Sequence, residues 1–251
     1  MVFVSGDIHG NPVRLSKDSF YEQKDFSGNK DENTVIILGD FGLVWNRDGE
    51  SKQEKYWLDW LNQKPFTTVF VDGNHENFDR LYSYPIIEWH GGKVHKINSS
   101  IFHLMRGEIY EIDNKKIFAF GGASCHDIPD GILDDDNLEK IDEYDKRHAG
   151  YRIRGYNWWD LELPTDGELR NGLDALCKVN NKVDYIISHC APTSIQNAFN
   201  PYYPDNKLTK YFEEIKDKVE FKKWYFGHYH KNDDTTFDKF ACLYEKIIEI
   251  K

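Results

Sequence analysis

Cysteine is scarce in this 251-residue sequence: Cys125, Cys177, Cys190 and Cys242 are the four, and no two form a Cys-x-x-Cys pair. A chain of this length needs no disulfide to fold, so reduced and mostly buried thiols are expected. Positive charge is also short, with 32 Lys and Arg against 43 Asp and Glu and a net charge of −11. Non-specific affinity for DNA or RNA rests on Lys and Arg neutralising phosphates, so a long nucleic acid is not an expected partner. An acidic protein still takes up a phosphate where bound metal ions reverse the local field. Long apolar runs are missing, since none approaches the ~18–20 residues that cross a bilayer. The opening Val2-Phe3-Val4 is too short for a signal-peptide core and lacks a basic leader. A cytoplasmic protein with no membrane partner is expected. Internal repeats and Pro/Gly/Ser linkers are absent, which favours one domain over residues 1–251.

What is present is globular in character. An apolar fraction of 39% with 15% aromatics argues against disorder. A unit of this size buries roughly three-quarters of its unfolded surface, enough core to support a strained site. Residues 1–5, 35–38, 67–71, 183–188 and 223–226 are β-branched and aromatic runs that stop at a loop, and they read as buried strands. Shorter strands are predicted at 101–105, 108–112 and 117–120, with Asp113-Asn114 as a hairpin turn, and at 240–244 and 246–250. Helix starts are marked by Asn11-Pro12, by Asn77 and by the capping boxes Ser51/Glu54 and Thr165/Glu168. Behind the boxes follow Trp57, Trp60, Leu61 and Lys64, then Leu169, Leu173, Leu176 and Cys177; Leu208 to Val219 marks a last amphipathic helix. Residues 127–157 are charged, lose clear period and read as an insertion. Their Asp134-Asp135-Asp136 lacks the ligand spacing of an EF-hand and reads as a solvated face.

The chemistry lies at the strand ends. Asp7 with His9, Asp40, Asn74 with His75, His189, and His228 with His230 each follow an apolar strand, usually beside a glycine. Open α/β sheets place ligands at the carboxyl ends of their strands. One Gly-Asp or Gly-His at a strand end is ordinary turn chemistry; five such places in one chain are not. Residues two apart in extended backbone point the same way, so Asp7/His9 and His228/His230 can each converge on one centre. Seven candidate ligands exceed the demand of one four-coordinate zinc. A bridging Asp40 would give each of two metals about four protein ligands. Such a pair lowers the pKa of a bridging water and clamps the attacking and leaving oxygens of an in-line displacement. Imidazole and oxygen donors without thiolate favour manganese, iron, zinc or cobalt over calcium. His90, His95, His103, His126 and His148 lie outside the pattern and read as surface or core histidines, His126 least securely.

Gly6-Asp7-Ile8-His9-Gly10, Gly39-Asp40, Gly73-Asn74-His75-Glu76, Ser188-His189 and Gly227-His228-Tyr229-His230 together resemble the calcineurin-like metallophosphoesterases, small stand-alone prokaryotic members in particular. The resemblance implies an α/β fold of four layers, two facing mixed β-sheets flanked by helices. It implies Asp7, His9, Asp40 and His230 on one metal, with Asp40, Asn74, His189 and His228 on the other, manganese or iron foremost. His75 would assist the leaving oxygen while a hydroxide bridging the metals attacks phosphorus. Protein phosphatases of the superfamily carry Asp and Arg where this chain has Leu43 and Val44, and Arg where it has Asp72. Asp72 is a candidate for the missing role of orienting His75. The expected activity is hydrolysis of small phosphodiesters or nucleotides; the alternatives are a phosphomonoesterase or protein phosphatase, and a non-catalytic protein-binding scaffold of the same fold. Gly121-Gly122-Ala123-Ser124, Arg152 and Trp158-Trp159-x-x-Glu162 also resemble those prokaryotic members. The tryptophans read as packing, and Arg147, Arg152 and Arg154 as candidate phosphate contacts.

Overall fold

Three runs rich in β-branched residues, Val2–Ser5 (β1), Thr34–Ile37 (β2) and Thr67–Phe70 (β3), are buried along their whole length and pair in parallel, with Val2 beside Thr34 and Thr34 beside Thr67. A computed structural model describes residues 1–26, 28–126 and 128–251; Asp127, at the start of the predicted insertion, lies outside them. Between β2 and β3 runs helix α1 (Lys52–Asn62), opened by the Ser51/Glu54 capping box, and after β3 a single turn α2 (Phe78–Leu81) capped by Asn77. Leu58 and Leu61 face the core, while Trp57 and Trp60 are half-buried against it. The Asn11-Pro12 start gives one 3₁₀ turn, Pro12–Leu15.

The chain then makes a hairpin not predicted above, Ile86–Trp89 (β4) and Gly92–Asn98 (β5), and returns in Ile101–Leu104 (β6) beside β3. Glu108–Ile112 (β7) and Lys115–Phe120 (β8) form the predicted hairpin, with Asp113 and Asn114 both in the left-handed region that its two-residue turn requires. Within the charged stretch two three-residue strands, Gly131–Leu133 (β9) and Tyr151–Ile153 (β10), pair in parallel around an exposed helix α3 (Leu138–Lys146). The acidic triplet is solvated and salt-bridged: Asp134 meets Arg154 at 3.2 Å and Asp135 meets Arg47 at 2.8 Å.

Helix α4 (Asp166–Lys178) follows its capping box and buries Gly172 and Leu176; Cys177 is exposed, whereas the other three cysteines are buried. Then come Tyr185–Ser188 (β11), helices α5 (Thr193–Phe199) and α6 (Lys207–Lys218), and Lys223–Phe226 (β12). Three short strands close the described chain: Asp233–Phe237 (β13), Phe240–Cys242 (β14) and Ile247–Glu249 (β15). The sequence predicted two closing strands; they part company, β14 joining the second sheet beside β12 and β15 crossing back to pair antiparallel with β1.

The result is a seven-stranded mixed sheet, β15-β1-β2-β3-β6-β5-β4, and a six-stranded one, β13-β14-β12-β11-β8-β7. Residues from both sheets share one core, with Val4, Ile36 and Val69 among those on one side and Ile117, Ile187 and Tyr225 on the other. A second cluster packs α4, α5 and α6 on the outer face of the six-stranded sheet, and a third packs α1 and the 3₁₀ turns on the seven-stranded one. Four layers follow: helices, sheet, sheet, helices. β1, β2 and β3 run parallel, as do β8, β11, β12 and β14, so each sheet gathers its loops at one edge.

Candidate metal centre

All eight sequence-predicted site residues stand on loops just past β1, β2, β3, β11 and β12. The two sheet edges meet there. Side-chain ligand atoms of Asp7, His9, Asp40 and His230 lie within 4.8 Å of one another. His9 Nε2 is 3.0 Å from His230 Nε2 and 3.7 Å from Asp40 Oδ2, and His230 Nε2 is 3.4 Å from Asp7 Oδ2. On the other side of Asp40, His189 Nε2 approaches Oδ1 to 3.3 Å. His75 is held by its backbone, whose N–H donates to Asp40 Oδ1 at 2.8 Å, and its half-buried ring lies 5.0 Å from the His9 ring and 5.5 Å from that of Trp45.

The donor set fits metal ions. Buried polar atoms almost always find a hydrogen bond, yet Asn74 Oδ1, His189 Nε2 and His228 Nε2 are buried and make none. His189 Nδ1 contacts Leu38 O at 2.6 Å, so Nε2 is the nitrogen left to receive a proton or a cation. Burial opposes charge on that ring, but Asp40 and Asp7 outweigh it and push His189 up to about 10. The carboxylates thus call for positive charge at this spot. Burial and the neighbouring His189 hold His228 well below the ordinary histidine range, as the neutral imidazole that binds metals.

Sequence and backbone are shaped to bring these groups so close. His9, Asp40, His228 and His230 all have φ between 44° and 68°, a region that non-glycine residues enter at a cost and chiefly at functional sites. Gly73 has no room for a side chain: a Cβ there would stand 2.1 Å from Asp40 Oδ1 and 2.8 Å from His189 Nε2. Gly73→Ala is therefore expected to lower metal content and turnover at least ~10-fold, the loss typical of disturbed ligand support. Gly167→Ala, whose Cβ would meet only Thr165 Oγ1 at 3.8 Å, should melt at or slightly above the wild-type temperature. Metal analysis and thermal melts of both variants check this, and full metal in Gly73→Ala would refute it.

Four residues that are not predicted ligands stand at the centre or support it. Glu76, fully buried, accepts from Phe41 N–H at 2.7 Å and so fixes the loop that carries Asp40; burial and the Asp40 charge push its carboxyl well above the usual range. Arg14 donates to the backbone carbonyl of Asp7 at 2.8 Å. His126 sits 4.8 Å from the His228 ring and stacks on Tyr203 at 4.2 Å, which brings it to the edge of the centre. Glu162 is buried with Oε2 making no hydrogen bond, and burial pushes it up to about 9. Glu76 and Glu162 stand in the sequence motifs and His126 is the least secure of the outlying histidines, but the sequence assigns none of them a role, because the groups they meet are distant in sequence.

Other expectations are corrected. Asp72 does not face His75: its Oδ1 lies 3.0 Å from His103 Nε2 and its Oδ2 accepts from Arg106 Nε at 2.9 Å. Arg147 and Arg154 are engaged by acids, Asp130 for the first and Asp134 and Asp160 for the second, and the charge of Arg152 acts on Glu162. Trp159 is structural, as expected: it packs on Trp45 and donates to Asp79 Oδ2 at 2.8 Å. His103 and His95 belong to the Asp72 network, their Nδ1 atoms 2.9 Å apart.

Two clefts flank the half-exposed His9. One, of about 500 Å³, is lined by Asn11, Arg14, Ser19 and Tyr244 among others; the second, of about 220 Å³, by Gly42, Leu43, Trp45 and Asn46. No helix among the described residues is long and apolar enough to cross a membrane.

Comparison with curated proteins gives no match. Among solved structures, a phosphopantetheinyl hydrolase from Mycobacterium tuberculosis aligns at 15% identity over 97% of this chain and 87% of its own, with a TM-score of 0.41. A protein described as a 5′-nucleotidase from Staphylococcus aureus aligns at 14% identity over 97% of this chain and 48% of its own, with a TM-score of 0.38. The model of the calcineurin-like phosphoesterases matches residues 1–232, and with nearly the whole chain inside that match the protein belongs to this family of metal-dependent phosphoesterases.

Proposed function

We propose that the chain, acting as one domain over residues 1–251 in the cytoplasm, hydrolyses small phosphodiesters or nucleotides at a two-metal centre. Asp7, His9, Asp40 and His230 would hold one ion, and Asp40, Asn74, His189 and His228 the other. The observation that carries this reading is the set of three buried, hydrogen-bond-free donor atoms on Asn74, His189 and His228 beside a separate four-residue cluster that shares Asp40. Imidazole and oxygen donors suit manganese or iron, with zinc and cobalt as alternatives. When bound, such ions supply Lewis acidity toward the phosphoryl oxygens and toward water.

The chain's own groups do the rest. Asp40 fixes the His75 backbone, and packing against Trp45 sets the ring beside His9. From there His75 hands a proton to the oxygen that departs as the P–O bond breaks. Glu76 keeps the Asp40 loop in place, and Arg14 does the same for Asp7. Two clefts that share His9 in their linings give room for the two arms of a diester, which favours diesters over monoesters.

Manganese-loaded protein is expected to hydrolyse bis-p-nitrophenyl phosphate faster than p-nitrophenyl phosphate, with about two metals counted per chain. His75→Ala should keep its metal but lose about 10²–10³-fold in turnover of alkyl esters, whose leaving oxygen needs a proton, and much less with nitrophenyl esters. Equal losses on both ester types would remove His75 from proton transfer. A clear monoester preference would overturn the diester reading.

A further inference from the structure

Away from the metal centre, α1 ends at a cavity of about 680 Å³ whose lining includes Lys17, Lys24, Lys30, Lys64, Tyr21 and Trp60. Four lysines line this hollow in a protein with a net charge of −11. No carboxylate among the described residues lies within ion-pair distance of any of the four. Lys64 is the informative one. Its side chain is buried, 8% exposed, and its Nζ rests 3.3 Å over the Trp60 ring. Its aliphatic stem is covered while the ammonium keeps a cation–π contact with Trp60 at the cavity wall. Burial and the nearby Lys17 both depress the Lys64 ammonium, so a second positive charge acts on it at close range. Lys30 is fixed at the wall by donating to Asn62 O.

We propose that this cavity is a binding site for a small polyphosphate anion, either an inorganic polyphosphate chain or the phosphate tail of a nucleotide. A cavity of this size lies within the roughly 300–1,000 Å³ of small-molecule sites. One orthophosphate carries at most about two negative charges near neutral pH, whereas three linked phosphates carry about four, to match four lysines. The exposed ring of Tyr21 at the rim is the surface a nucleotide base would use. The site is distinct from the metal centre. Glu54, in the first turn of α1, holds the Trp45–Asn46 loop beside His9 by accepting from both backbone N–H groups, at 2.7 and 2.9 Å. The lysine cavity lies at the other end of the helix, about 16 Å along its axis.

The test uses the full-length, manganese-loaded protein and lysine acetylation read by mass spectrometry. Saturating tripolyphosphate is expected to slow acetylation of Lys17 and Lys24 at least tenfold while leaving the exposed Lys140 unchanged. Adenosine 5′-(β,γ-imido)triphosphate run in parallel separates the sources: equal protection means the phosphate chain alone is recognised, and stronger protection means the base contributes. Protection by orthophosphate equal to that by tripolyphosphate would overturn the polyphosphate assignment, and no protection by either triphosphate would overturn the site. Lys64→Met, which keeps the covered aliphatic stem, is expected to melt close to the wild-type temperature, yet to bind tripolyphosphate at least tenfold more weakly in calorimetry. Unchanged affinity in Lys64→Met and in the exposed Lys17→Gln would equally refute the proposal.

Discussion

Asp40→Asn should leave a folded protein that neither holds its metals nor turns over bis-p-nitrophenyl phosphate. The expected loss is about 10⁴-fold or more, the size seen when a member of a set that acts as a unit is removed. Asp40 meets three histidines of the centre: Oδ1 accepts from His75 N–H and faces His189 Nε2, while Oδ2 faces His9 Nε2. Asparagine keeps the shape and loses the charge. Its amide oxygen must stay on the His75 N–H, which turns the NH₂ toward His9 and places a donor where a cation would need an acceptor. In the metal-free protein the change also removes the carboxylate that holds buried His189 charged, so some loss of stability without metal is expected. Metal-dependent stabilisation, in contrast, should vanish; a ligand at 100 times its Kd contributes about 2.7 kcal/mol, enough to read as a thermal shift. Melting with and without manganese, beside metal analysis, gives the answer. Two metals per chain and a wild-type shift in Asp40→Asn would show that Asp40 is not shared between two ions.

The parts of this architecture that the sequence discloses are those buried on both faces. β1, β2, β3, β11 and β12 are unbroken apolar runs because each lies between a partner sheet and a helix layer, and such runs need no periodicity to be seen. The β4–β5 hairpin stayed hidden for the opposite reason. Ile86 and Glu88 are exposed, so the segment has neither a full apolar run nor a clean alternation. β13 is polar and lies at a sheet edge, and β9 and β10 have three residues each, too few for any pattern. Partner choice is not local either, which is why the two closing strands could be read while their separate sheets could not.

The candidate centre was legible because metal-capable side chains sit beside glycines that the close approach demands, and both are visible in single short stretches. What supports the centre was not. Glu76 acts on a backbone N–H 35 residues away, and Glu162 reaches the site through a fold contact between its carbonyl and Ala123 N–H. Asp72 shows the hazard of reading neighbours in sequence as neighbours in space. It adjoins Gly73-Asn74-His75, but Arg106 and His103, more than thirty residues on, take both of its oxygens.

That buried network leads to the largest expected effect on stability. Arg106→Met should destabilise the protein by about 3–5 kcal/mol, because removing one partner of a buried pair strands the other. For a chain of this size that is a fall in Tm of about 10 °C. Arg106 and Asp72 are both fully enclosed, and Arg106 also donates to Leu161 O at 2.6 Å and lies 3.5 Å from Glu168. In the wild type, burial alone would raise the Asp72 carboxyl, but Arg106 and His103 outweigh it and hold it well below the usual carboxylate range. The stability it contributes is therefore present above the unfolded pKa near 4 and is lost only as pH falls through the depressed folded value. Without Arg106 burial dominates, the folded pKa rises above the unfolded one, and the variant loses stability as pH climbs from about 4. The gap between wild type and Arg106→Met should accordingly be wider at pH 7 than at pH 4.5. Asp72→Asn/Arg106→Met, which strands no charge, should recover part of the loss at pH 7. Denaturant melts at the two pH values measure all of this; a pH-independent gap, or a double variant no more stable than Arg106→Met, would mean that packing and not the stranded carboxylate sets the loss.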